Sequence, residues 1–295
     1  MIRSLEKPIS TDQFQKIISD ISDIQTTQDP DHWTSDNPLL GHCAVVSLVG
    51  QSMFGGKLLR ASLADYPNFA YARSHYINQL PDGQRIDFTK DQFKDNYPDN
   101  LMFEERERRY VLGYPETQKR FKLLSFRFAK EITQNPLFND QIYQKCYENA
   151  LSSPCQKMHF GAVMVKAGEV VAESYNKIIE ELKSLCEPTC IRQTITSRTE
   201  SMLGACGHAE EWLLAETRNG GIDPKECDLY IAGVEINGMP WIKAEPEHTC
   251  LRCAVQMNHA GIKSVRVPVI DKWICISTSQ ALITAKAYAT GEKMI

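Results

Sequence analysis

The residues of this 295-residue chain best suited to chemistry lie in its second half. They are His208-Ala-Glu210 and, 42 positions after the histidine, Cys250-Leu-Arg-Cys253. Zinc takes four ligands, and a catalytic zinc keeps one position open for water. One histidine and two cysteines supply the other three. A C-x-x-C pair at the start of a helix puts both thiols near the positive end of the helix dipole, which favours the thiolates that bind metal. Glu210 follows the histidine by two residues, close enough to carry protons without ligating. Either half alone is ambiguous, because C-x-x-C also serves structural zinc and His-x-Glu arises by chance in many helices. Together they point to a Zn2+ centre that activates water.

Cysteine usage extends this reading. Of ten cysteines, all but Cys43 fall after residue 145. A secreted disulfide framework would be shorter and would carry a signal, so metal ligation or thiol catalysis is the better expectation. Cys186, Cys190 and Cys206 form a candidate second metal site. A C-x-x-x-C pair needs two further ligands and only Cys206 can be named, so buried thiols remain the alternative.

The first half holds a quieter set, Cys43, His75 and Asp87, as a candidate triad. A thiol at a helix N-terminus is activated by a histidine that a carboxylate holds in place. The register can be argued. A three-residue Pro81-Asp82-Gly83 loop pairs Leu80 with Gln84 and Ile77 with Asp87, which sets His75 diagonal to Asp87 on one face. The bland alternative is a buried cysteine, a strand histidine and a turn-side aspartate, each common by itself, in a recognition or scaffold module.

These residues need elements to position them. Phe14, Ile17, Ile18 and Ile21 have helical spacing over 12–24, and an apolar helix over 43–54 ends at Gly55-Gly56. Strands are expected over 74–80 and 85–89, then a long helix over 115–132. Asn135-Pro136 reads as an N-cap with proline at the first helical position, so a helix over 136–151 should open a new domain. Strands over 160–166, 169–175, 229–234 and 264–269 then alternate with helices. The expected fold class is α/β: an α/β/α sandwich with a mixed sheet over 135–295, after a smaller α+β domain over 1–134.

At this point a resemblance becomes specific. HAE with a downstream C-x-x-C is similar to the zinc-dependent cytidine/deoxycytidylate deaminase family, with Thr249 standing where that family usually has proline. FGAVMVKAGEVVAESYN resembles the family's first hairpin and HAEEWLLAE its metal-bearing helix. DLYIAGVE resembles its third strand, and CAVQMNHAGIKSVRV its second ligand helix running into the fourth strand, over about residues 136–271 in all. The resemblance implies hydrolytic deamination of a cytosine-type or other aminated base in a nucleoside or nucleotide. Glu210 would pass the attacking water's proton to the ring nitrogen and the departing ammonia. It also implies that Asn176 contacts the sugar, against the plainer reading of an asparagine in a turn. The insert with Cys186, Cys190 and Cys206 carries an extra metal in some relatives. In the first half, WTSDNPLLGHCAV, GGKLLR, SHYINQLPDGQRIDFT and RRYVLGYPETQKR resemble the YunG family. The order Cys, His, Asp there is also that of transglutaminase-like and papain-like thiol enzymes.

Composition narrows the alternatives. The chain is 42% hydrophobic and 24% charged, which excludes a mainly disordered or low-complexity protein. No apolar run approaches the roughly 18 residues of a membrane span. The N-terminus has no apolar core of a secretory signal, so a cytoplasmic location is expected. Lys and Arg total 33 against 37 Asp and Glu. Neither half has a basic excess, so a small-molecule substrate is favoured over nucleic acid. Homo-oligomer formation is an open expectation. The competing functions are a nucleic-acid editing deaminase and a non-catalytic zinc-stabilised interaction module.

Overall fold

The computed structural model describes residues 9–186, 189–193, 205–243 and 249–291. The first eight residues, read above for a signal, and part of the cysteine-bearing insert lie outside them. The chain divides into two compact units, Leu5–Thr133 and Gln134–Ile295. Among the described residues no helix is long and apolar enough to cross a membrane.

The N-terminal unit begins with α1, Thr11–Ile21, whose Ser10 and Gln13 form a capping box and whose Phe14 and Ile18 are buried. Next comes α2, Cys43–Phe54, buried from Cys43 to Gly50, so it is a core helix apolar on every side. Four strands follow: β1 (Lys57–Ser62), β2 (Ser74–Gln79), β3 (Arg85–Ile86) and β4 (Phe103–Arg106), with α3 (Arg108–Leu112) and α4 (Pro115–Thr133) after them. They form one antiparallel sheet in the order β3-β2-β1-β4. The strand expected over 85–89 stops at Ile86, because Asp87 turns its carboxylate onto the Thr89 amide.

The C-terminal unit contains α5 (Gln141–Ala150), β5 (His159–Lys166), β6 (Glu169–Tyr175), β7 (Lys177–Ile178) and β8 (Cys206–Gly207). It continues with α6 (Ala209–Asn219), β9 (Asp228–Val234), β10 (Pro240–Trp241), α7 (Leu251–Ala260), β11 (Ser264–Val269), β12 (Lys272–Ser277) and α8 (Thr278–Thr290). The helix expected over 136–151 is two pieces. Asn135 and Pro136 start only a 3-10 turn, and α5 begins later because Asp140 accepts hydrogen bonds from the amides of Ile142 and Tyr143. The sheet runs β12-β11-β9-β5-β6, with β10 on β9. It is mixed: β9 and β11 are parallel and their other neighbours antiparallel.

Residue alternation along β5 shows what covers each face. Ala162 and Met164 join Leu213 of α6 and Cys253 and Met257 of α7 in one apolar cluster. Gly161 faces the other way, onto α5, where a Cβ would fall 1.9 Å from the Cys146 carbonyl oxygen and 2.5 Å from the Ala150 nitrogen. Neither contact can be relieved by a rotamer change, since both partners are backbone. Gly161→Ala is therefore expected to cost about 1–3 kcal/mol or more of stability through overpacking. Thermal unfolding of the purified chain checks this, and an unchanged transition would show that β5 and α5 do not approach so closely.

Candidate functional site

The short β7–β8 ladder, pairing Lys177 with Gly207 and Ile178 with Cys206, delivers the chain to His208 at the N-cap of α6. Gly207 is required there by space, since a Cβ would lie 2.5 Å from Trp212 Nε1. Cys250 occupies the equivalent N-cap of α7, and Cys253 lies fully buried one turn on. Two helix N-termini thus converge, and His208 Nδ1 lies 3.3 Å from the sulfur of Cys250 and 3.3 Å from that of Cys253. All three ligand atoms fall within 4.8 Å of one another. Tetrahedral zinc, with bonds of about 2.0 Å to nitrogen and 2.3 Å to sulfur, sets such ligands roughly 3.5 Å apart, so the residues present fit the metal. The Cys250 thiol is pushed down to about 3 by the hydrogen bond from Cys253 and, against the cost of burial, by that from His208. Cys253 is pushed up in turn by Cys250 and by burial.

Glu211 holds this arrangement together. Its carboxylate accepts the backbone N–H of His208 at 2.8 Å, Arg252 Nη2 at 2.6 Å and Gln256 Nε2 at 2.9 Å. One side chain therefore ties the start of α6 to α7, which brings in both cysteines. Sequence reasoning passed over it as one more charge on a helix.

A cleft of ≈ 390 Å³ opens beside these ligands, lined by His208, Cys250 and Glu210. Glu210 is only 5% exposed, and burial raises its carboxyl above the usual range, against the pull of His208. A carboxyl so placed holds a proton more readily than a solvated one, which suits it to proton transfer. Across the sheet, Gly233 pairs with Phe160 on one neighbour and Trp241 on the other. Its missing side chain leaves room for the two rings, which meet edge to face at 5.6 Å on the cleft wall. Lys157, Arg192 and Lys243 also line the cleft, and among the described residues Glu210 is its one lining carboxylate.

Asn176 lines the cleft too, yet its amide is engaged by the chain itself. Its Oδ1 accepts the Phe160 amide at 2.8 Å and its Nδ2 donates to the Met158 carbonyl at 3.0 Å. It shapes the cleft mouth by holding residues 158–160.

The three insert cysteines come together with a fourth, Cys155, that the sequence did not single out. Cys155 and Cys206 influence each other's ionisation, as do Cys186, Cys190 and Cys206. Cys155 is pushed down to about 6, chiefly by the bond from Cys206 and against burial, with help from the Met158 and Lys157 amides. Burial and Cys190 push Cys186 up to about 11. These sulfurs do not form a metal-sized cluster: among the described residues only His208, Cys250 and Cys253 gather three ligand atoms within 4.8 Å.

In the N-terminal unit the structure also brings Cys43, His75 and Asp87 together. The hairpin pairs Gln79 with Arg85 and Asn78 with Ile86, and His75 Nε2 donates to Asp87 Oδ2 at 2.7 Å.

Comparison with known proteins agrees with this division. Residues 10–133 match the family described as YunG protein. Residues 138–268 match the family described as Cytidine and deoxycytidylate deaminase zinc-binding region. Among solved structures, the chain is similar to the dCMP deaminase of cyanophage S-TIM5 in its apo form. The match has 16% identity and a TM-score of 0.32 over 51% of this chain and 91% of that one. The same phage enzyme in complex with dCMP and dUMP matches at 19% identity and a TM-score of 0.28, over 40% and 71%. No curated protein matches the chain.

Because Glu211 orients the ligand-bearing helices without ligating, Glu211→Ala should weaken zinc binding about 10–100-fold while leaving the ligands in place. Competition with a chromogenic chelator measures this; an unchanged affinity would show that α6 and α7 are held by packing alone.

Proposed function

We propose that the C-terminal unit, whose sequence carries the deaminase zinc-binding region, is a zinc-dependent hydrolytic deaminase of a nucleotide with an aminated, cytosine-type base. The observation that carries this reading is the buried Glu210 carboxyl in the same cleft as the His208, Cys250 and Cys253 ligand set. A purely structural zinc would not need a carboxyl desolvated beside it, which weighs against a non-catalytic interaction module. Zinc held by these three residues would supply the Lewis acidity that makes water a nucleophile at neutral pH.

Glu210 takes the proton of the attacking water and delivers it to the ring nitrogen. The second water proton leaves with the exocyclic amine as ammonia, and the base keeps a carbonyl oxygen. Burial serves this role, because it raises the carboxyl's proton affinity and so favours taking the water's proton. Phe160 and Trp241 offer apolar ring faces to a flat base. Lys157, Arg192 and Lys243 favour an anionic group on the substrate, which is why a nucleotide is preferred to a nucleoside. The chain's net charge of −4 argues for a free nucleotide over a nucleic-acid strand. Asn176 then acts on the substrate indirectly, by fixing the 158–160 backbone. Cys155, Cys190 and Cys206 share one wall of the cleft as thiols, since no three of the insert's sulfurs and Cys155 gather within 4.8 Å of one another among the described residues.

Ammonia release from a panel of nucleotides, nucleosides and free bases tests the reading. Turnover of cytosine nucleotides over nucleosides is expected, and no turnover of any aminated base would overturn it. Glu210→Gln should lose about 10²–10⁴-fold in kcat with zinc retained; full activity would place the proton chemistry elsewhere. Metal analysis should give about one zinc per chain, lost in Cys250→Ala. Unchanged zinc in Cys250→Ala would sink the catalytic assignment.

A further inference from the structure

The N-terminal unit builds a second constellation that the deaminase reading does not use. Gly41 has φ 73°, and a Cβ there would fall 2.4 Å from Thr27 Oγ1, so the turn into α2 depends on glycine. His42 is fully buried, between Thr26 Oγ1 and the Leu40 carbonyl oxygen at 2.9 Å each. Burial pushes it down to about 4, so it is neutral and pins the turn. The next residue, Cys43, is therefore fixed at the first position of a 12-residue helix, where unpaired backbone N–H groups face it and favour negative charge.

The Cys43 thiol donates to the Ser74 carbonyl oxygen at 3.8 Å, which sets it against the start of β2, where the next residue, His75, is within electrostatic reach of it. Its Nε2 bonds Asp87, and its Nδ1 has the Gln92 amide nitrogen at 3.4 Å. Asp87 is held from three sides besides. Its Oδ1 accepts the Thr89 amide at 2.9 Å and the Thr89 hydroxyl at 3.1 Å, and its Oδ2 accepts the Tyr97 hydroxyl at 3.0 Å. Gln92 Nε2 in turn donates to the Thr89 carbonyl and hydroxyl oxygens at 3.0 Å each. Phe93 packs edge-on against the His75 ring at 4.8 Å, so the imidazole has one orientation. Burial disfavours the imidazolium, but Asp87 and Cys43 outweigh it and push His75 up to about 9. The ring is thus a strong enough base to take a thiol's proton. Arg120 adds positive charge within electrostatic reach of Cys43, and its Nε is buried with no hydrogen-bond partner among the described residues.

A His–Asp pair kept for stability alone would gain little, since buried ion pairs are frequently no better than apolar packing. It would also need no thiol at a helix N-terminus against the ring. His75 is sealed from solvent, whereas Cys43 remains 7% exposed. We propose that the N-terminal unit carries a catalytic site of its own, with Cys43 as nucleophile, His75 as general base and acid, and Asp87 as the residue that orients it, for acyl transfer from an amide donor to water. His75 takes the thiol proton as sulfur attacks the carbonyl carbon. The C–S bond forms, the C–N bond breaks, and the nitrogen departs with the proton from His75. Water then attacks the thioester and gives one proton to His75. The C–S bond breaks, the carboxylic acid leaves, and the proton returns to sulfur.

The test is iodoacetamide labelling of the full-length, zinc-loaded protein at pH 6.5, with Cys43 read by peptide mapping. Cys43 should react about ten-fold faster than glutathione, the gain expected of a paired thiolate after allowance for its lower intrinsic nucleophilicity. His75→Ala should erase the excess, and Asp87→Asn should reduce it while keeping the fold by circular dichroism. Labelling no faster than glutathione in the wild-type protein, which needs no variant to fold, overturns the proposal. So does an excess that survives His75→Ala. Incubation with casein peptides identifies the donor: loss of side-chain carboxamide nitrogen assigns glutamine-type donors, and new peptide ends assign backbone amides.

Discussion

The candidate zinc centre depends on two helices starting at the same point in space. His208 and Cys250 are both N-cap residues with extended backbone, φ −72° and ψ 161° for one, φ −68° and ψ 160° for the other. Each helix directs unpaired N–H groups and a partial positive charge at the ligands, which offsets the cost of placing thiolates there. The sheet enforces the convergence. β9 and β11 are parallel neighbours, so α7 must cross over between them. It packs on the face already carrying α6, where Leu213, Cys253 and Met257 share one cluster. Glu211 completes the alignment with three hydrogen bonds that tie the two helices together beside the ligands.

The N-terminal unit uses the same device with a different partner. There one helix N-terminus holds a thiol, and the facing group is an imidazole on an antiparallel hairpin. The turn at Gly83, φ 90°, sets the register that lets a two-residue strand bring Asp87 back to His75. The chemistry differs because the surroundings do. A soft ligand pair with histidine favours metal, whereas a single thiol with a carboxylate-backed histidine favours proton transfer.

Legibility in the sequence tracks the range of the interactions. His208, Glu210, Cys250 and Cys253 were readable because N-cap and first-turn positions impose fixed local spacings. The β5–β6 hairpin was readable because alternation and the Ala167-Gly168 turn are local signals, and the Pro81-Asp82-Gly83 loop allowed even a register to be argued. Cys155 was not, since it lies in a loop without periodicity, far along the chain from the thiols it meets. Trp241 belongs to a two-residue strand, too short to leave a pattern, and its partnership with Phe160 exists only through pairing with Gly233. β1 and β4 also escaped notice, KLLRAS because it lacks clean alternation and FEER because its charges read as a solvated stretch. Asn135-Pro136 misled in an instructive way: the capping chemistry is real, but it caps a 3-10 turn, and Asp140 five residues on does the same for the helix.

The cleft itself shows how far the fold departs from what stability alone would choose. Glu210 is desolvated at the start of a helix, where a solvated carboxylate would be more comfortable, and its proton affinity rises as a result. Gly233 gives up a side chain on a central strand so that Phe160 and Trp241 can meet over the cleft. Lys157, Arg192 and Lys243 line the same cavity as Glu210, so among the described residues the cations there outnumber the acid and favour an entering anion. Each feature is unfavourable or neutral for folding, and each becomes favourable when a flat, aminated, negatively charged molecule occupies the space. On the proposed reading, that shared condition is what connects the acid, the rings and the cations to one substrate.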